Sequence, residues 1–354
     1  MAQRGRVGRW LVGGLVLLLA AAGVLWSVCA AEMNKASRAP GGTRITVHSG
    51  TSLRGVLSQL AEVQVLEHPR LIELWLRVRG EQLRAKAGNY ELPLHGSVQQ
   101  ILAQLQAGQV VLEQLTIVEG WTLAQMRQAI DASSVLTHEW RGRDSAALLA
   151  ALAGRPDPTV SAEGRFYPDS YRFAAGTSDR RIYELAWQRM TERLQQEWQA
   201  RAPNLPLKTP EEALIMASII ERETAREDER ARVAAVFINR LRIGMRLQSD
   251  PTVIYGLGVR YDGNLRRRDL ESDGPYNSYT RGGLPPTPIA LPGGASLHAT
   301  LHPADEGVLY FVATGNGDGS HHFSTTYAEH SAALRVFLRR IGATPDRALG
   351  GNHP

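Results

Sequence analysis

Two glutamates, Glu221 and Glu223, close an apolar run, Ala213-Leu-Ile-Met-Ala-Ser-Ile-Ile220, and are the first residues to suggest chemistry. The run is apolar on every side, so its helix should be buried. A carboxyl at the end of a buried helix loses hydration, which penalises its charged form and keeps it protonated toward neutral pH. A protonated carboxyl can serve as general acid, as in glycoside cleavage. Periodicity does not choose between the two glutamates. Pairing with Arg222, Arg226 or Arg230 would instead make either one purely structural.

Other chemistries fit less well. His321-His322 lies on an expected strand, where neighbours face opposite ways, so one metal cannot easily take both. His298, His302 and His330 form no HExxH motif. No G-x-S-x-G occurs in a strand–turn–helix context, and Ser218, inside the apolar run, should bond back to its own helix.

The elements that must position these glutamates are readable around them. Thr209-Pro210-Glu211-Glu212 gives a cap, a proline at the first helical position and acids at the positive helix end. A long amphipathic helix is expected over 180–201 and another over 227–242. From 244 to 300 glycine and proline are dense and periodicity fades, which predicts a long functional loop. A hairpin over 308–325 and a helix over 327–341 follow. Glu163 and Asp169 sit in an aromatic, turn-rich stretch and are read as structural, with cleft lining as the alternative. Upstream, Arg44–His48 alternates as a strand. Helices follow from Ser52 and from about Pro69, then a strand at 88–92 and a helix capped by Ser97 and ended by Gly108. That order makes a small α+β module over 43–112.

The composition supports this plan. The chain has 354 residues, 43% hydrophobic and 21% charged, which excludes wholesale disorder and allows two domains. Its single cysteine, Cys29, excludes an intramolecular disulfide and a cysteine zinc site. Arg4, Arg6 and Arg9 precede an uncharged run from Trp10 to Ala31. As a helix that run spans about 33 Å, enough for the hydrocarbon core, and it exceeds the apolar core of a cleavable signal. The arginines place the N-terminus in the cytoplasm and the remainder outside. Nucleic acid and cytosolic cofactors are thereby removed as partners. The expected segments are a cytoplasmic 1–9, an anchor 10–31, a linker 32–42, the module 43–112, a catalytic region 113–342 and a flexible tail 343–354.

Ala217-Ser-Ile-Ile-Glu-Arg-Glu-Thr224, Val236 through Gly256 (Val-Phe-Ile-Asn-Arg-Leu-Arg-Ile-Gly-Met-Arg-Leu-Gln-Ser-Asp-Pro-Thr-Val-Ile-Tyr-Gly), Tyr276-Asn-Ser-Tyr-Thr280 and Gly283-Leu-Pro-Pro286 together resemble the endolytic murein transglycosylase family, MltG or YceG-like. The resemblance covers essentially the whole chain. It implies an α+β protein: a transmembrane helix, a LysM-like glycan-binding module and a larger region with a lysozyme-like active-site helix. It implies cleavage of MurNAc–GlcNAc bonds within peptidoglycan strands, leaving 1,6-anhydro-MurNAc ends. It makes Glu221, the first glutamate of E-x-E-T, the catalytic acid. Gln248, Asn277 and Tyr279 are similar to cleft-lining elements of lytic transglycosylases, which implies substrate binding; their alternative is loop bracing. Glu223 is expected to support the site from behind or to be salt-bridged. No cofactor or metal is implied. The partners are glycan strands, the membrane and, by the setting, peptidoglycan synthases. Two rivals remain: a muramidase-type hydrolase, which needs a second poised carboxylate that the sequence does not identify, and a non-catalytic glycan-binding scaffold.

Overall fold

The computed structural model describes residues 2–48, 50–81, 83–154 and 161–342, with residues 2–12 described by backbone alone. It is a mixed α+β protein in two compact units. The first runs through Gln114 and adds Val135–Thr137 and Arg172–Thr177; the second holds Leu115–Ser134, His138–Tyr171 and the chain from Ser178 on. Residues 155–160 and the tail 343–354 lie outside the described residues.

The first unit opens with α1 (Ala2–Asn34), in which Gly13–Asn34 is long and apolar enough to cross a membrane. It continues with β1 (Arg44–Val47), α2 (Leu53–Glu62), α3 (Pro69–Val78), β2 (Gly88–Glu91) and α4 (Val98–Ala107). β1 and β2 pair antiparallel, with Ile45 opposite Tyr90 and Val47 opposite Gly88. The helices form where the caps indicate. Ser52 accepts from Gly55 N–H, and Ser97 forms a reciprocal capping box with Gln100. Gly108, at φ 73°, ends α4 in the left-handed conformation that glycine adopts without Cβ penalty. Leu57, Leu60, Ile72, Tyr90, Ile101 and Leu105 make a core fully closed to solvent. Residues 32–42 are built into the same unit, with Met33 and Ala39 buried and Ser37 N–H donating to Gly96 O at 2.9 Å.

The strand β3 (Leu112–Thr116) leads to α5 (Leu123–Ala132) and α6 (Ser145–Ala153), and pairs with β4 (Ser170–Ala174). The second unit then sets α7 (Asp179–Ala200), α8 (Pro210–Glu223) and α9 (Glu227–Arg242) around one core. α8 is its axis. Every residue from Ala213 to Ile220 is buried, and each large aliphatic contributes about 1.5–3 kcal/mol. Ser218 bonds back to Ile215 O at 2.7 Å as expected, and its hydroxyl also accepts from Ile289 N–H at 3.0 Å.

The stretch 244–300 corrects the expectation of one long loop. It contains α10 (Asp250–Leu257), α11 (Arg267–Glu271) and α12 (Gly294–Leu301). α12 packs on α8, α9 and α7. It escapes sequence reading because it is short and begins at Gly293 without a side-chain cap. β5 (Tyr310–Ala313), β6 (His321–Ser324) and α13 (Tyr327–Arg340) finish the unit as expected.

Candidate active site

Glu221 and Glu223 are two residues apart on α8, about 200° around the axis. They therefore face two different settings.

On one side, Gly293 N–H donates to Glu221 Oε2 at 2.9 Å. Gly293 is the residue before α12, so the positive end of that helix faces the carboxylate. A second carboxyl meets the same backbone. A Cβ on Gly293 would lie 1.9 Å from Glu119 Oε1, so only glycine lets Glu119 rest there. Glu119 belongs to the turn Glu119-Gly120-Trp121, which is tied in place on both sides. Gly120 N–H donates to Leu291 O at 2.9 Å and Leu291 N–H to Trp121 O at 2.7 Å. Arg222 Nη1 donates to Gly120 O at 3.2 Å. Gly120 sits at φ 76°, with Glu221 Cγ 3.9 Å from where its Cβ would be. Burial first, then the charge of Glu221, holds the Glu119 proton above the ordinary carboxyl range; Arg230 acts in the opposite sense. Arg230 is itself buried, and its Nε has no hydrogen-bond partner among the described residues.

On the other side, Ser249 Oγ donates to Glu223 Oε1 at 2.5 Å. Burial pushes the Glu223 carboxyl up to about 7; the Ser249 bond and Arg240 oppose this and Asp250 adds to it. The expected binding residues gather here. Ser249 N–H donates to Ser278 Oγ at 2.9 Å, and Gln248 N–H to Ser278 O at 3.1 Å. Tyr279 OH donates to Asp250 Oδ1 at 2.5 Å, and burial and that carboxylate raise its pKa. Gln248 takes a left-handed φ of 52°, and its side-chain amide has no hydrogen bond among the described residues. Such a conformation costs a non-glycine residue about 1–3 kcal/mol and collects at functional sites. Asn277 is fully spent. Its amide donates to the carbonyls of Asp269, Leu270 and Ser272 at 3.2, 2.9 and 2.7 Å, and its oxygen accepts from Tyr279 N–H at 2.9 Å.

Glu163 is structural, as read. It accepts from Leu123 N–H at 2.8 Å, Gly164 N–H at 3.3 Å and Tyr255 OH at 3.2 Å, at the start of α5. Burial raises it to about 7. His321 and His322 face opposite ways, and His321 Nδ1 lies 2.7 Å from Glu229. Among the described residues, two clusters have metal-ligand types: Glu197–His298–His302 and Asp131–His138–Asp179. Their carboxylates are already engaged. Arg193 lies 2.8 Å and His298 3.0 Å from the two Glu197 oxygens, and Asp179 accepts from the backbone of Glu139 and Trp140.

Sequence reading missed Glu119 and Gly293. The signals were a Glu-Gly turn before a capped helix and the triplet Pro292-Gly293-Gly294; neither shows that they meet Glu221.

Two carboxyls at the end of a buried helix, met by a Gly-Gly helix start, make up the site, and the chain belongs to the YceG-like family, whose model matches residues 45–336. An endolytic murein transglycosylase of Bacillus subtilis (strain 168) is 30% identical over 308 residues, 83% of this chain and 84% of the relative. Another, from Streptococcus pneumoniae serotype 2 (strain D39 / NCTC 7466), is 26% identical over 317 residues; the match covers 81% of this chain and 56% of that longer relative. The crystal structure of a yceG-like protein from Listeria monocytogenes is similar with a TM-score of 0.51 and 29% identity, over 82% of this chain and 98% of that one.

Proposed function

We propose that this chain is a membrane-anchored endolytic lytic transglycosylase of peptidoglycan, with Glu221 as its general acid and then base. The observation that carries the reading is the setting of Glu221. It is partly exposed at the end of a buried helix, has one backbone donor, and adjoins a second carboxyl, Glu119, whose pKa burial raises. The names of the relatives supply the substrate class.

The chemistry needs one proton moved twice. Protonated Glu221 donates to the glycosidic oxygen as the bond to the MurNAc anomeric carbon breaks. The resulting carboxylate, met by Gly293 N–H, takes the proton of the sugar's own 6-hydroxyl as that oxygen attacks the same carbon. The product is 1,6-anhydro-MurNAc, and no water is consumed. Proton transfer of this kind contributes about 10²–10⁴-fold; positioning by the cleft supplies more. Gln248, with its free amide on a strained backbone, and Tyr279 are assigned to substrate contact. Asn277 is assigned to bracing the loop that carries them, and Glu223 to supporting that loop through Ser249. The active-site helix is read as lysozyme-like and the catalytic region as 113–342. The β1-α2-α3-β2 order supports a LysM-like glycan-binding role for the module. Arginines ahead of the apolar helix support a cytoplasmic N-terminus and a periplasmic catalytic unit near peptidoglycan synthases.

Glu119 also favours a second reading, a muramidase in which this carboxyl orients a water. Product ends separate the two. Full-length protein in detergent is incubated with uncrosslinked strands, and fragments are weighed by mass spectrometry. Internal fragments ending in anhydro-MurNAc, one water lighter than reducing ends and absent with Glu221→Gln, are expected. Reducing ends would establish the hydrolase. Strand binding without cleavage would leave the scaffold.

A further inference from the structure

The end of α1 is not a free stalk. Cys29 and Met33 are buried in the first unit's core. Glu32 Oε1 accepts from Glu67 N–H at 2.7 Å and His68 N–H at 3.3 Å, which pins the start of α3 beside Glu32. The other end of α3 is pinned to Trp26. The Trp26 and Trp75 rings are 5.8 Å apart, and the Arg79 guanidinium lies 4.5 Å from the Trp75 ring centre and 5.8 Å from that of Trp26. α3 therefore runs back along α1 toward the apolar span, covering the stretch from Glu32 to Trp26, six steps or about 9 Å at 1.5 Å per residue.

That direction has a consequence for depth. From Arg9, the last charge before the apolar run, to Trp26 is 17 residues. This is about 26 Å of helix against a hydrocarbon core of about 30 Å. If α1 crosses the bilayer with Arg9 at one surface, Trp26 lies at the opposite interface, and the C-terminal end of α3 lies there too. The surface at that level suits the place. Leu74 and Val78, one helical turn apart, are 52% and 73% exposed, and Trp26 is 50% exposed. Arg79 sits over the two indoles and pairs with Glu81 Oε1 at 2.7 Å, a polar edge to this apolar surface. Tryptophan with arginine is the composition of a membrane interface.

We propose that Trp26, Leu74, Val78 and Arg79 form a lipid-contact face that seats the first unit in the bilayer interface. The unit is then held at a fixed height by a rigid helix and a second helix dipping back to the lipid. The inference rests on α1 spanning the membrane.

Nitroxide labels on single cysteines test it in the full chain, in a Cys29→Ala background, reconstituted into phosphatidylcholine vesicles containing one quarter phosphatidylglycerol. The labels are placed at Leu18→Cys in the span, at Val78→Cys, and at Arg38→Cys, which neighbours Glu67 at the far end of α3. Collision with oxygen is compared with collision with a water-soluble nickel chelate. The expected result is an oxygen-favouring ratio at 18, a ratio at 78 shifted toward that of 18, and a nickel-favouring ratio at 38. A ratio at 78 equal to that at 38, with 18 still in lipid, overturns the contact face and leaves the anchor standing. A nickel-favouring ratio at 18 overturns both.

Discussion

The two faces of α8 solve different problems with the same residue type. Glu221 has one backbone donor and a neighbouring carboxyl. Glu223 is tied to Ser249, and through Ser249, Ser278 and Thr252 to the loop before α10. Burial pushes the Glu223 carboxyl up to about 7. Each glutamate has one oxygen engaged, Glu223 by the Ser249 hydroxyl and Glu221 by Gly293 N–H, so what each faces matters more, because a general acid must reach the atom it protonates. A raised pKa thus marks desolvation and not by itself a catalyst.

The largest effect should come from exchanging each glutamate for glutamine. Glu221→Gln should lower the rate constant of strand cleavage by about 10²–10⁴-fold or more. Glu223→Gln keeps an acceptor for Ser249 and should cost less than about tenfold. Equal losses in a strand-cleavage assay would erase the contrast between the faces.

Next in size is Gly293→Ala. The added methyl would fall 1.9 Å from Glu119 Oε1 and expel that carboxyl, while the backbone at φ −77° accepts alanine. Misplacing groups by about an ångström at a reacting centre costs roughly 100-fold. The variant should therefore lose activity by about 10–100-fold with its melting temperature nearly unchanged, and Glu119→Gln should lose activity too. Full activity in both would remove Glu119 from the site.

These two residues also show what a sequence conceals. α8 was legible because its signals are local: Thr209 accepts from Glu212 N–H, Pro210 follows, and eight buried residues precede Glu221. The module's caps at Ser52, Ser97 and Gly108 were legible for the same reason. The meeting of Glu119, Glu221 and Gly293 joins residues 102 and 72 positions apart, and no local propensity encodes it. α12 hid because glycine, alanine and serine give a weak apolar stripe over eight residues. Asn277 was noticed for its type, but its work depends on three carbonyls that converge only in the folded loop.

A smaller effect separates the faces by pH. Glu223 and Glu163 rise from 4.5 to about 7 on folding. Between those values the folded chain binds protons that the unfolded chain releases, so stability is full below about 4.5 and falls as pH rises through 7. Each 2.5-unit rise corresponds to at most about 3 kcal/mol. Glutamine copies the protonated form, so Glu163→Gln and Glu223→Gln should gain stability relative to the parent at pH 8 and little at pH 4. Denaturant titrations at the two pH values check this. A gain independent of pH would mean that burial does not perturb these carboxyls.

The smallest effect belongs to Gln248. Its left-handed backbone suits glycine, and its amide bonds to nothing among the described residues. If strain is kept there to aim the amide at a glycan, Gln248→Gly should raise stability by about 1 kcal/mol, since glycine adopts positive φ without steric cost. The same change should raise KM for strands and leave kcat within a few-fold, because an interaction equal in ground and transition states is lost from binding alone. A variant that is more stable with unchanged KM would assign the strain to the loop's own packing and leave Tyr279 as the contact residue of the Glu223 face.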